Sequence, residues 1–416
     1  MRKNILYLTL LVCCISFVKA QVREVNPPDH IKTITFKGNT PESQLPVIRL
    51  GEPLVLEFDV LNANEEDFYY VLQHCNYDWT PSILAKTEYL TGMDNQRIIE
   101  YENSFNTYEV FSHYRLTIPN NMTRGFLKSG NYMVFVYDDY GDLMFSRKFM
   151  IQEDIANVGV VIRRTRDMAT INQKQTVNFV VNSGRISFNN PMETIKTLVV
   201  QNNNLNTAIS SLKPQYILGN QLTYRYDEES AFWGGNEYLY FENRDVRAAN
   251  VGVQFIDLKE IYHSYLFTNV PRRDLEYTYN PDINGNFTVT VSDGRDTATE
   301  ADYTMVHFSL KAPLLPSGQS VYVYGNYNNY ALEDLNKMSF NYETGNYECE
   351  MKLKQGFYNY KYVVTDNKGA LNEGAISGDF WQTENNYKVL VYYRDLGARY
   401  DRLIGVGEAA SINITN

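Results

Sequence analysis

The sequence predicts a mostly β protein, built as tandem Ig-like and early-set β-sandwich domains. Three observations lead there. Apolar residues recur with period two, and helical periodicity is scarce. The chain holds 34 tyrosines and 21 phenylalanines, flat side chains that suit a pleated face. Short strand-like runs end in turn residues at the spacing of sandwiches rather than of βαβ units.

Taken in order, residues 1–20 read as a signal peptide. Arg2 and Lys3 form a basic start, Ile5 to Val18 an apolar stretch, and Val18-Lys19-Ala20 a small-residue cleavage site before Gln21. Lipidation at Cys13 or Cys14 is the alternative, but neither cysteine follows the small residue that lipidation prefers. A first β-sandwich is expected over 21–154. It opens with the alternating run Ile31 to Phe36 and closes on the linker Gln152-Glu153-Asp154. Within it, Tyr108, Val110, Tyr114, Leu116 and Ile118 alternate with Glu109, His113, Arg115 and Thr117. A helical turn is expected between Pro81 and Leu90, and Asp138 to Asp142 reads as a hairpin loop.

A middle β-rich domain is expected over 155–305, with strands near Val158–Arg163, Thr176–Val181, Leu198–Gln201 and Phe287–Val291. Asn202-Asn203-Asn204 marks a tight loop, and Pro281 to Asn286 a turn. A C-terminal early-set Ig-like domain is expected over 306–405, with strands Ser320–Tyr324, Tyr347–Leu353, Tyr358–Thr365 and Tyr387–Tyr393, and a tail over 406–416.

Charge narrows the function classes. The whole chain carries a formal −11. Without Arg2, Lys3 and Lys19 the processed chain carries −14. An acidic chain without a Lys/Arg cluster is a poor partner for nucleic acid or for anionic lipid head groups. Beyond the signal peptide, no stretch reaches the ~18 apolar residues of a spanning helix. Cys75 and Cys349 remain after processing, and both read as buried thiols. Cys349 is expected to point into a core with Tyr347, Met351 and Leu353.

Several residues invite a chemical reading. His74, Cys75 and Asp78 suggest a metal site, but zinc wants four ligands and a second short-spaced pair is missing. A polar cluster supporting the loop beside Trp79 is the plainer reading. Cys75 with His113 would make a nucleophile and base, yet the local signatures of such enzymes are absent. Asp138, Asp139 and Asp142 fall short of a calcium loop. No catalytic residue, metal or cofactor is therefore expected. A hydrolase acting through His74 or Asp78 stays as a remote alternative. Phe232-Trp233-Gly234-Gly235-Asn236 is different, because two glycines after an aromatic pair permit positive φ and close backbone approach. An exposed Trp233 would anchor a partner. A Trp233 tucked under its own glycine turn would only be structural.

One segment carries the most information: Phe68 to Gly92, with His74-Cys75-Asn76, Asp78-Trp79 and Glu88-Tyr89-Leu90. It resembles the N-terminal part of the plug-protein family of the type IX secretion system, found in Bacteroidetes. Three further blocks fit in the same order. Ser104 to Thr107 is followed by His113-Tyr114 and Ser129 to Tyr132. Leu212-Lys213-Pro214 is followed by Phe232 to Glu237. Val321 to Gly325 is followed by Lys354 to Tyr360. The resemblance spans essentially the whole processed chain. It implies a periplasmic protein that sits against the giant outer-membrane translocon barrel and closes its periplasmic mouth while no cargo passes. It brings no catalytic residues. Separately, Val321 to Asn328 with Tyr330 is similar to the opening of glycogen-binding-type carbohydrate modules, which usually carry Trp at the position of Tyr330. The alternative function is thus an exported carbohydrate-binding protein, with Tyr330 and Trp381 as the sugar-facing aromatics.

Overall fold

A computed structural model of the protein describes residues 21–38, 44–292, 294, 296–412 and 414. The expected signal peptide, with Cys13 and Cys14, lies outside them. The described chain is mostly β and forms tandem sandwiches.

The first body pairs two sheets. One orders the strands Ile31–Lys37, Leu54–Leu61, Phe111–Ile118 and Glu100–Asn103. The other orders Val47–Arg49, Leu143–Gln152, Gly130–Tyr137, Tyr69–Cys75 and Gln96–Arg97. Alternation explains the strand Phe111–Ile118, where Tyr114, Leu116 and Ile118 are buried and Arg115 is exposed. Its core is aromatic. Phe58 stacks on Tyr114 at 5.2 Å and meets Phe68 and Phe145 edge-on at 5.3 and 5.2 Å. Tyr108 and Val110 depart from the expected strand and are exposed. The backbone N–H groups of Tyr108 and Glu109 are bound instead by the Asp302 carboxylate. The helical turn expected between Pro81 and Leu90 is Lys86–Tyr89.

Strand pairing departs from the division expected at 305/306. Asn157–Arg164, Lys174–Asn182, Gln221–Tyr224 and Tyr216–Leu218 form one sheet, with Ala231–Trp233 beside it. The facing sheet orders Asn204–Ser210, Ile195–Gln201, Asn386–Tyr393 and Arg402–Ala410. The strand Asn386–Tyr393, expected in the C-terminal domain, therefore completes the middle one. Residues 406–410 of the expected tail lie in its last strand. Val199, Val389, Val391 and Ile404 share this core with Phe179, which stacks on Tyr224 at 4.2 Å. Asn202 and Asn203, both at positive φ, make the two-residue turn of the hairpin at 195–210.

The third body fills the interval between these strands. Its sheet runs from Leu239–Glu242 through Gly356–Thr365, Ser320–Tyr324, Lys337–Asn341, Asn346–Lys354 and Tyr303–Leu310 to Tyr262–Leu266 and Val253–Leu258. The sheet folds on itself, since Phe241 at one end lies 5.8 Å from Phe308 near the other. Segments expected in the middle domain, such as Phe287–Val289, pair here with Gly356–Thr365.

Candidate partner-binding surface

The segment Phe68 to Gly92 builds a joint rather than a reactive site. After the strand Tyr69–Cys75 the chain turns at Asn76 to Thr80, where the Asp78 carboxylate accepts from the N–H and hydroxyl of Thr80. Trp79 adopts φ 63°, a conformation rare for a bulky residue. That turns its ring into an apolar cluster with Cys75, Met150, Leu198, Leu390, Tyr392 and Leu403, joining the first body to the middle one. Polar groups fix the register. Asp401 accepts from the Tyr77 N–H at 3.0 Å and holds Arg394 through two 2.8 Å bonds. The Tyr392 hydroxyl donates to Asn131 at 2.7 Å.

His74 is buried among Tyr89, Tyr132 and Tyr400. Its Nε2 lies 3.0 Å from the Ser129 carbonyl, which can only accept, so Nε2 carries the proton. Nδ1 has no hydrogen-bond partner among the described residues. Burial holds the imidazole pKa down to about 4, so the ring is neutral at physiological pH. His113 sits on the opposite sheet and binds Asp59 at 2.7 Å. The structure thus does not bring Cys75 and His113 together. Burial pushes the Cys75 thiol up to about 12, the reverse of what a nucleophile needs. The described residues hold no group of three or more His, Cys, Asp or Glu suited to a metal ion. Asp138 accepts from the N–H groups of Tyr140 and Asp142, an ordinary hairpin tip. Cys75 and Cys349 are free thiols, but Cys349 is only partly buried, at the margin of its core with Met351 and Leu353.

The Phe232–Asn236 segment separates into an anchor and one exposed ring. Phe232 is buried against Tyr387. A methyl group on Gly234 would lie 2.1 Å from the Phe380 carbonyl oxygen, so only glycine fits the approach. Gly235 takes φ +66°, its N–H donates to Asp379, and its carbonyl accepts from the Phe380 N–H and the Thr383 hydroxyl. The Asn236 amide donates to the Ser377 carbonyl. These bonds clamp the chain as it returns from the third body. Trp233 alone points outward, 50% exposed, with the Lys174 ammonium 4.5 Å above its ring. The turn reading, with Trp233 tucked away, does not hold.

The two aromatics expected to face a sugar are separated in character. Tyr330 is 2% exposed, and its hydroxyl binds the carbonyls of Asn202 and Asn284. It offers no ring face to a ligand, which removes the proposed platform. Trp381 is partly buried and carries the Arg164 guanidinium 4.6 Å above its ring. Its backbone N–H donates to the Asn172 carbonyl, next to the Gln173 carbonyl that accepts from the Gly234 N–H. Trp233 and Trp381 therefore flank one hairpin, each capped by a cation, with Met168 exposed at its tip. Interface hot spots are enriched in Trp, Tyr and Arg, and this edge offers two Trp and one Arg. The sequence reading missed a second apolar feature, the edge strand Tyr216–Leu218, exposed along its whole length. Three consecutive apolar residues before Gly219-Asn220 were its signal.

Comparison with known proteins gives a consistent result. Residues 31–153 match the family model described as type 9 secretion system plug protein, 1st domain. The crystal structure of a hypothetical protein from Parabacteroides merdae ATCC 43184 is 35% identical, with a TM-score of 0.89 over 94% of this chain and 100% of that one. The N-terminal eight Ig domains of the Down syndrome cell adhesion molecule show 10% identity and a TM-score of 0.13 over 88% of this chain and 46% of that one, too slight a likeness to bear on the fold. No curated protein matches the sequence.

Proposed function

Because the chain belongs to the type 9 secretion system plug protein family, we propose that it is the periplasmic plug of that system's outer-membrane translocon. It closes the periplasmic opening sterically while no cargo passes, and it does no chemistry. The observation that carries this reading is the family match over residues 31–153. The architecture supports it, because a stopper must hold its shape. Each of the three bodies touches the other two. The first meets the middle through Trp79 and Tyr392. The first meets the third through Asp59 and Lys354. The middle meets the third through the Asn204 amide, which donates to the Tyr324 hydroxyl at 2.9 Å. On this reading Trp233, on its clamped loop, is a contact for the barrel's rim, and Phe232, Gly234, Gly235 and Asn236 position it.

The test is recovery from the envelope. The protein is tagged at its C-terminus, the envelope is solubilised gently, and co-purifying proteins are identified. The expected outcome is the large translocon barrel, reduced in yield by Trp233→Ala. Failure to recover the barrel under conditions that keep it intact would overturn the plug reading.

A further inference from the structure

A cavity of about 420 Å³ lies between the first and third bodies. Its size falls within the ~300–1,000 Å³ of small-molecule sites, and an interface between bodies is where such sites concentrate. One wall is the first strand of the first body, with Ile31 and Ile34. The other is built from Phe287, Met305, Met351 and Leu353 of the third. Left unfilled, such a space forfeits dispersion contacts along its whole lining. Methionine walls adapt readily to a flexible apolar guest.

Two cations, Lys32 and Arg147, line this space without a direct ion pair among the described residues, although the lining also holds the carboxylates of Asp29, Glu333 and Glu350. The Lys32 ammonium has no hydrogen-bond or ion-pair partner among the described residues, and burial lowers its pKa. Nearby Asp29 is exposed, and the Glu333 carboxylate is occupied by the Asn26 amide at 2.7 Å. Arg147 is buried, and among the described residues its guanidinium donates to the carbonyls of Val25 and Ser146, with Glu24 and Glu333 near enough to favour its charge. A third cation, Lys352, is already paired with Glu109 at 2.7 Å.

The backbone is distorted at the same place. The pairing register shifts between Lys32 and Thr35, and Thr33 takes φ 50°. A β-branched residue there is a genuine outlier. Bulges re-aim side chains beside functional sites, and strain of this kind persists where surroundings enforce it.

We propose that this cavity binds an amphiphilic carboxylate, its aliphatic tail between Ile31 and Met351 and its head on Lys32. The bound molecule would bridge the two bodies. The inference stands apart from the plug reading, since it rests on the cavity and the residues that line it.

The probe is dodecanoate, with dodecanol as its uncharged counterpart, titrated by calorimetry into the protein purified from its own envelope. Saturable binding at one molecule per chain is expected, with a raised melting temperature. Lys32→Met should weaken dodecanoate about tenfold, the scale of one charge-assisted hydrogen bond, and leave dodecanol unchanged. Lys32→Arg should restore most of the carboxylate affinity. Met351→Trp should abolish both by filling the space. The Lys32 variants keep the comparison valid if the tryptophan variant fails to fold. Absence of binding at ~1 mM, the weak end of useful affinity, would overturn the proposal. So would non-saturable uptake, or equal dodecanoate affinity in wild type and Lys32→Met.

Discussion

Gly234 and Trp233 are neighbours with opposite roles. Gly234→Ala forces a methyl group against the Phe380 carbonyl, backbone that cannot swing aside. Overpacking of this kind costs ~1–3 kcal/mol, read as a lowered urea midpoint. Trp233→Ala removes a half-exposed ring and should shift stability by less than ~1 kcal/mol, while costing ~2 kcal/mol in binding if it is a hot spot. His74 makes a pH-dependent prediction. Its folded pKa, about 4, lies below its ordinary 6.5. Between those values the unfolded chain binds a proton that the folded chain refuses. The stability this residue contributes is therefore complete above about pH 6.5 and is lost as pH falls toward 4. The full loss is on the order of 3 kcal/mol. Urea titrations from pH 7 to 4.5 should show that slope in wild type and a shallower one in His74→Gln. Equal slopes would contradict it. The glycine pair was legible in the sequence, because an aromatic pair followed by Gly-Gly signals close backbone approach. The burial of Tyr330 was not, since its neighbours Asn202 and Asn284 come from distant segments.

At the scale of elements, the decisive feature is a charged cluster buried between strands of different bodies. Asp59 and Lys354 meet at 2.7 Å with side chains 1% and 2% exposed. Burial alone would raise the Asp59 pKa, but Lys354, helped by His113, outweighs it and holds the carboxylate below its usual range. An ionised Asp59 only accepts, so His113 Nδ1 and the Tyr303 hydroxyl both donate to it. The Thr33 hydroxyl then donates to Tyr303 at 2.6 Å. Asp59→Asn should cost ~3–5 kcal/mol by stranding Lys354, and Asp59→Asn with Lys354→Met should recover much of that loss. Denaturation of the two single variants and the double variant checks this. Additive losses would contradict the pairing. Individual strands such as Ser320–Tyr324 were readable from period-two alternation. Their partners were not. Consecutive strands usually neighbour one another. Here Ile195–Gln201 instead pairs with Asn386–Tyr393, across the entire third body. Alternation records which face is buried, and it is silent on which distant strand lies alongside.

At the scale of the whole molecule, the described residues form three sandwiches locked by three joints, with the chain entering and leaving the third body through the middle one. On the plug reading that architecture gives stiffness, and the aromatic edge at Trp233 and Trp381 is the proposed face for a partner. The family was legible in the blocks that lie within residues 31–153, the stretch its first-domain model matches. The inserted third body was hidden because it is a property of the fold and not of any segment. The most direct measurement is conductance of the purified translocon barrel in a planar bilayer, with the protein added on the periplasmic side. The plug reading predicts that the open-pore current falls as the protein binds, and that Trp233→Ala requires a higher concentration for the same block. A current that stays unchanged while the protein is demonstrably bound would contradict it.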